Sequence, residues 1–313
     1  MRALGVSHFG GPEALQLVDV PDEPLGSGQV RLRVSAASVN PTDTGQRSGL
    51  WFTYDRPPEG FLVPGMDVAG TLVELGPGVH ADLAVGDLVM GIVVPSGYHG
   101  GYREDLVLSA RSVTRVPAGA SDVAASTLPM NGLTARLTLD RLALQPGQTV
   151  AVTGAAGAYG GFVVQLAKAE GLVVIADASL ADRELVLELG ADIVIDRGDD
   201  VADRIREHFP DGVDALADGA VLDALALPAV RDGGAVVTVR SYAGDGQRGL
   251  RVIPIQVPVY AERQDKLDEL RQLAEEGVLT LRVAQTYPVE RAADAHRRLE
   301  AGGTRGRLVL CFT

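Results

Sequence analysis

Over the first 118 residues apolar and polar positions alternate in short runs. Val30-Arg31-Leu32-Arg33-Val34 shows the period of two expected of a half-buried strand, and residues 68–75 and 88–94 are further strand-like runs. Gly76-Pro77-Gly78 and Val85-Gly86-Asp87 punctuate them. Many short strands parted by turn residues predict a barrel-like β domain. From Pro41 to Gly60 the pattern is lost. This stretch carries Trp51, Phe52 and Tyr54 beside Pro57-Pro58 and reads as an irregular loop that either lines a pocket or packs on its own domain.

Near Ser121 the period changes to that of a helix. Ser121 offers an N-cap before Asp122-Val123-Ala124-Ala125, and helical spacing continues over 133–142 until Pro146-Gly147 ends it. Strand and helix patterns then alternate, with strands at 148–153, 173–176, 193–195, 213–216 and 234–239 and helices at 162–169, 182–189 and 201–208. This βαβ rhythm predicts a doubly wound parallel sheet, whose ligand crevice lies outside the carboxyl ends of its strands. After Arg240 the order loosens through Gly244-Asp245-Gly246. Helices over 263–275 and 289–300 follow, and a Gly302-Gly303 turn leads to a final apolar run that can pair with either domain.

Composition narrows the function classes. A length of 313 residues suits roughly two domains. The net charge of −13, with no basic face in the sequence, argues against a nucleic-acid partner. No apolar run approaches the ~20 residues that span a bilayer. The N-terminus has neither a long apolar core nor a cleavage-like site, so no secretory signal is expected and the cytoplasm is the default location. The single cysteine, Cys311, excludes an internal disulfide and any multi-cysteine zinc cluster, and its apolar setting reads as an inert buried thiol. His8, His80, His99, His208 and His296 are too dispersed for a metal set and read individually as surface or packing residues.

The most informative stretch is Thr149 to Gly161. A β-branched run ends in Ala155-x-Gly157-x-x-Gly160 and passes into a helix. Such a turn lets backbone approach a pyrophosphate, while the helix N-terminus directs N–H groups and a positive dipole end at it. The first glycine of the usual pattern is alanine here, and glycine-rich loops also occur without a ligand, so the turn alone leaves dinucleotide binding open.

Several blocks together carry a family pattern: Phe9-Gly10-Gly11-Pro12-Glu13, Asn40-Pro41-Thr42-Asp43, Pro64-Gly65-Met66-Asp67, Gly101-Tyr102, Leu133-Thr134-Ala135, the glycine turn with Gln165-Leu166-Ala167-Lys168, Leu189-Gly190-Ala191-Asp192, and Ala295-His296 ahead of Gly306-Arg307-Leu308. On these residues the chain resembles, almost end to end, the zinc-independent quinone oxidoreductase (ζ-crystallin-like) branch of the medium-chain dehydrogenase/reductase superfamily. The resemblance implies an α/β protein, a Rossmann doubly wound parallel sheet plus a GroES-like β-barrel catalytic domain. The expected divisions are 1–120 catalytic, 121–255 Rossmann, and 256–313 returning to complete the catalytic domain.

It also implies a function: an NADPH-dependent reductase passing hydride to a quinone or α,β-unsaturated carbonyl without zinc. A metal-independent alcohol/ketone dehydrogenase and a non-catalytic nucleotide-binding protein are the alternatives. Where zinc enzymes place a catalytic cysteine and His-Glu, this chain has Asn40-Pro41-Thr42-Asp43 and Met66-Asp67, so no metal is expected. The implied cofactor residues are Asn40, Thr134, Ala155, Ala156, Gly157, Ala158, Tyr159, Gly160, Ser179, Arg183, Arg197 and Arg240. Asn40, Trp51, Tyr54 and Tyr242 are the implied substrate residues, with the Tyr54 phenol as a catalytic hydrogen-bond donor to a developing enolate oxygen. Trp51 stands about where relatives carry tyrosine. Asp177, at the end of the second strand, argues for NAD(H), because an acid there accepts from the ribose 2′-OH. Ser179, Arg183 and Arg197 argue instead for the 2′-phosphate of NADP(H), which the branch mostly uses. A homodimer is implied, and Tyr159 replaces the usual small aliphatic residue.

Overall fold

The computed structural model describes residues 1–53, 56–57, 60–79 and 83–312. Tyr54, assigned above to catalysis and substrate, lies outside the described residues, as does His80. The chain divides into two compact units: 1–130, 258–275 and 281–313 form one, and 131–257 with 276–280 the other.

In the first unit the strand Gln29–Val39 changes partners along its length. Its first half lies between Asp67–Leu75 and Asp105–Ser109 and its second half pairs with Arg307–Cys311, all antiparallel. Register shifts at Arg31/Leu32 and Val34/Ala36 bend it as bulges do and curl the sheet around its apolar face. Val30, Leu32 and Val34 are buried and Arg33 is exposed, as their alternation predicts. The sheet continues through Leu88–Ile92 to Val113–Arg115 and, at its other end, to Val283–Pro288. The final strand thus joins the barrel-like sheet.

The stretch after Val39, expected to be irregular, opens with the helix Pro41–Ser48. Its sequence has no apolar stripe, so periodicity misses it, but its ends are well specified. Asn40 is the extended N-cap, Pro41 follows with its preset φ, the Asp43 carboxylate accepts the Asn40 N–H at 2.8 Å, and Gly49 closes the helix at φ 79°.

The second unit holds six parallel strands in the order Ile193–Asp196, Val173–Ala178, Thr149–Thr153, Val213–Asp218, Val230–Thr238, Arg251–Pro254. Its central strands bury Val150, Val152, Val174, Ala215, Leu216 and Val236, the continuous apolar runs of a sheet covered on both faces. The sequence of strands reverses direction between Thr149–Thr153 and Val213–Asp218, which makes this the switch point. Arg251–Pro254 was not foreseen. It is short and ends in proline, which an edge strand tolerates because only one side is paired. Among the described residues no helix is long and apolar enough to cross a membrane.

Candidate active site

The first strand delivers the chain to the turn at Gly154, which adopts φ 68°, a conformation that costs glycine little. Gly157 is the extended N-cap of the helix Ala158–Ala169. A Cβ on Gly160 would lie 2.4 Å from the Gly154 carbonyl oxygen, so only glycine lets the helix start this close to the strand. Ala158, Tyr159 and Gly160 make up the first turn, whose N–H groups precede the helix's own acceptors and carry its positive end. With Ala155 and Ala156 buried and short, this cradle fits a pyrophosphate.

Two aspartates brace the turn. Asp177, nearly buried at the end of the second strand, accepts the N–H groups of Gly154 at 2.6 Å and Ala155 at 3.2 Å through one oxygen. Burial pushes its carboxyl up, against those two bonds and the nearby Arg197 charge. Asp218, at the end of the fourth strand, accepts from Thr153 Oγ1 at 2.7 Å and from the Asp223 N–H at 2.8 Å.

The residues implied for the adenosine end are at the neighbouring strand ends. Ser179 donates to Asp182. Arg183 reaches the Val194 carbonyl at 2.7 Å and Asp196 at 3.0 Å, so it is held against the third strand. Arg197 is exposed, its backbone N–H bonded to the Ala178 carbonyl at 3.0 Å, and among the described residues its guanidinium has no hydrogen-bond or ion-pair partner. On the other side of the switch point Arg240 is exposed beyond the fifth strand, and Tyr242 is half-buried with its phenol pushed up by burial and by Asp245 and Asp223. Thr134 lies on the helix Pro129–Leu142, its carbonyl accepting from Thr138 Oγ1 at 2.9 Å.

The first unit contributes a buried polar chain that sequence reasoning did not assemble. Asn40 is fully buried rather than presented at the surface, and its Nδ2 donates to Asp67 Oδ2 at 2.7 Å. The other Asp67 oxygen accepts the Met130 N–H at 2.6 Å. Asp43 Oδ2 takes the Asn40 N–H and, at 3.1 Å, the Tyr102 hydroxyl proton. The Tyr102 oxygen then accepts from His296 Nε2 at 3.2 Å, with the two rings edge to face. Arg307 supplies positive charge to both aspartates. Burial raises Asp43 to about 7 and Asp67 to about 6, and lowers Arg307 to about 10. Asn40, Asp43, Asp67, Tyr102, His296 and Arg307 each lie in one of the motif blocks, which was the available signal; only Asp67 and Arg307 are in strands, the others being at a helix cap, in helices or in a bend. Trp51, half-exposed, lays its ring on Gly45, where a Cβ would meet the indole at 2.4 Å. Cys311 is half-buried, not buried, and its thiol is pushed up by that burial and by Asp122.

Burial, then the Arg47 charge, lowers His296 to about 3. A depressed value means that stability is present above the unfolded value near 6.5 and is lost as pH falls toward 3. At pH 4 the cost is about 3 kcal/mol, at 1.36 kcal/mol per unit. In denaturant unfolding, His296→Phe, which keeps an aromatic ring but cannot be protonated, is therefore less sensitive to a step from pH 7 to pH 4 than the unaltered protein. Parallel pH dependence in the two proteins would refute the buried neutral imidazole.

A bent antiparallel sheet in one unit and, in the other, a doubly wound sheet with a switch-point glycine turn define the two-domain dehydrogenase/reductase class. Residues 26–118 match the alcohol dehydrogenase GroES-like domain and residues 189–310 the zinc-binding dehydrogenase family. The chain is 30% identical to a quinone oxidoreductase of Lama guanicoe over 331 residues, covering 99% of this chain and 97% of that one. It is 31% identical to the chloroplastic NADPH-dependent alkenal/one oxidoreductase of Arabidopsis thaliana over 322 residues, 99% of this chain and 79% of that one. A mycobacterial structure complexed with NADPH matches over 100% of both chains at 29% identity and a TM-score of 0.87. The chain belongs to the quinone oxidoreductase branch of the medium-chain dehydrogenase/reductase superfamily.

Zinc, named in one of those family descriptions, does not fit the residues present. Asn40 and both oxygens of Asp67 are engaged in the buried chain, Met66 offers a thioether, and among the described residues no three His, Cys, Asp or Glu side chains are grouped to hold a metal ion.

Proposed function

We propose that this protein is an NADPH-dependent reductase that passes hydride to a quinone or an α,β-unsaturated carbonyl compound without a metal ion. The observation that carries the reading is the cradle at the switch point, where the bare Gly160 lets the helix start against the turn, a Cβ there lying 2.4 Å from the Gly154 carbonyl oxygen. It stands in a chain alignable over 99% of its length with a quinone oxidoreductase and an NADPH-dependent alkenal/one oxidoreductase. When bound, the nicotinamide cofactor supplies the hydride, and the protein orients the partners. The first turn of Ala158–Ala169 holds the pyrophosphate. Asp177 turns one oxygen onto Gly154 and Ala155, and the Arg197 guanidinium, which among the described residues has no hydrogen-bond or ion-pair partner, is near enough to offset part of the rise that burial gives the Asp177 carboxyl, an arrangement suited to a 2′-phosphate. Arg240 and Tyr242, just beyond the fifth strand, are on the nicotinamide side of the switch point, and the substrate role expected of Trp51 and the hydrogen-bond donor role expected of the Tyr54 phenol belong to the same proposal. A homodimer in the cytoplasm belongs to the same proposal.

Titration with NADPH and NADH, followed by single turnover with a test quinone and an enone, tests it. Arg197→Ala weakens NADPH binding about tenfold, the scale of one charge-assisted hydrogen bond, and leaves NADH binding unchanged. Arg183→Ala, already held by Val194 and Asp196, serves as the control and shifts NADPH binding little. Unaltered NADPH affinity in the Arg197 variant would remove the phosphate contact. NADPH binding with no reduction of quinone, enal or enone would defeat the reductase reading.

A further inference from the structure

Tyr159 breaks the small-residue pattern of the glycine turn, and its surroundings give that break a role resting on the NADPH reading above. Its phenol oxygen lies 2.8 Å from Thr138 Oγ1. Thr138 gives its own proton to the Thr134 carbonyl, so Tyr159 is the donor. The ring covers Gly219, where a Cβ would meet Tyr159 Cδ1 at 2.9 Å and Cε1 at 3.1 Å. Gly219 begins the segment 219–223, which leaves the carboxyl end of the fourth strand.

That segment is strained. Val221 has φ 60° and Asp223 φ 52°, and the left-handed region costs a non-glycine residue about 1–2 kcal/mol, with β-branched side chains the least tolerant. Its anchors are the Gly219 N–H to the Thr153 carbonyl at 3.1 Å, the Ala220 N–H to Thr153 Oγ1 at 3.2 Å, and the Asp223 N–H to Asp218 at 2.8 Å. Strain persists only where the surroundings over-determine it, and it gathers at sites of function.

The position of the segment indicates which function. A dinucleotide with its pyrophosphate on the turn and its adenosine ribose at the end of the second strand sends its other half to the opposite side of the switch point. That side is where the fourth strand ends and 219–223 begins. We propose that Tyr159 is a positioning residue for the nicotinamide half of the cofactor. By donating to Thr138 and roofing Gly219 it holds 219–223 in one strained geometry, and that half of the cofactor is laid against the segment. Tyr159 acts through the segment and need not touch the reacting atoms.

Two ligands separate this role from simple support: NADPH, and 2′-phosphoadenosine diphosphate ribose, which lacks only the nicotinamide. Tyr159→Phe removes the hydroxyl and keeps the ring, and Thr138→Val removes its acceptor. Each weakens NADPH binding about three- to tenfold, the range of one hydrogen bond. The double variant binds no more weakly than either single one, because both remove the same contact. Affinity for the truncated ligand is unchanged throughout. Equal losses for both ligands, or no loss for either, overturn the proposal in favour of mere packing. Failure of the unaltered protein to bind either ligand removes the NADPH reading and this inference together, and is visible before any variant is made.

Discussion

Replacing Arg307 with methionine lowers stability by about 3–5 kcal/mol, the cost of breaking a buried charge set by removing one member, and the loss deepens as pH rises. Arg307 is the cation whose charge reaches both Asp43 and Asp67, each fully buried. Their folded values, about 7 and about 6, are raised above the ordinary aspartate value. The stability they contribute is therefore complete below that value and lost as pH climbs through the folded ones. Without the guanidinium both folded values move higher still, so more is lost by pH 8. Denaturant unfolding at pH 5 and pH 8 measures the difference, and an equal loss at both would disprove the electrostatic account. Asp43→Asn in the same background recovers part of the loss at pH 8. One Asp43 oxygen takes both hydrogen bonds and, among the described residues, the other has no partner, so an amide keeps both bonds on its carbonyl and the recovery is partial because its NH2 group lies where no acceptor is found.

Gly160→Ala abolishes detectable NADPH binding. The added methyl meets backbone on three sides, the Gly154 oxygen at 2.4 Å, the Gly154 carbonyl carbon at 2.8 Å and the Ala155 Cα at 2.9 Å, and no rotamer change relieves backbone contacts. The helix start has to lift from the strand, which costs about 1–3 kcal/mol in stability and withdraws the first-turn N–H groups from the pyrophosphate. Gly157→Ala is the milder comparison, because its Cβ meets only the Gly154 oxygen at 3.1 Å. Ligand titration with a parallel melting curve reads both effects. A Gly160→Ala protein that binds NADPH like the unaltered chain would take the pyrophosphate away from this turn.

Periodicity served well where burial is one-sided or complete. The alternation of Val30, Leu32 and Val34 and the apolar strands around Val150, Val174 and Leu216 each declare a face, and the structure buries those faces. It missed the helix Pro41–Ser48 because that helix has no apolar stripe, although Asn40, Pro41, Asp43 and Gly49 spell out its two ends. It missed Arg251–Pro254 because four residues at a sheet edge carry too little pattern and end in proline.

By itself, then, the sequence determined the two kinds of sheet, the glycine turn and, through its motif blocks, the family, because local backbone preference and periodic burial are written along the chain. What only the tertiary structure decided is what the polar side chains bond to. Asp177 braces Gly154 and Ala155, Arg183 is held by Asp196 while Arg197 has no hydrogen-bond or ion-pair partner among the described residues, and Tyr159 donates to Thr138 across Gly219. The links Asp43–Tyr102–His296 and Asn40–Asp67 join residues 59, 194 and 27 positions apart. Such pairings depend on which strand ends meet in space, and no period along the chain encodes that.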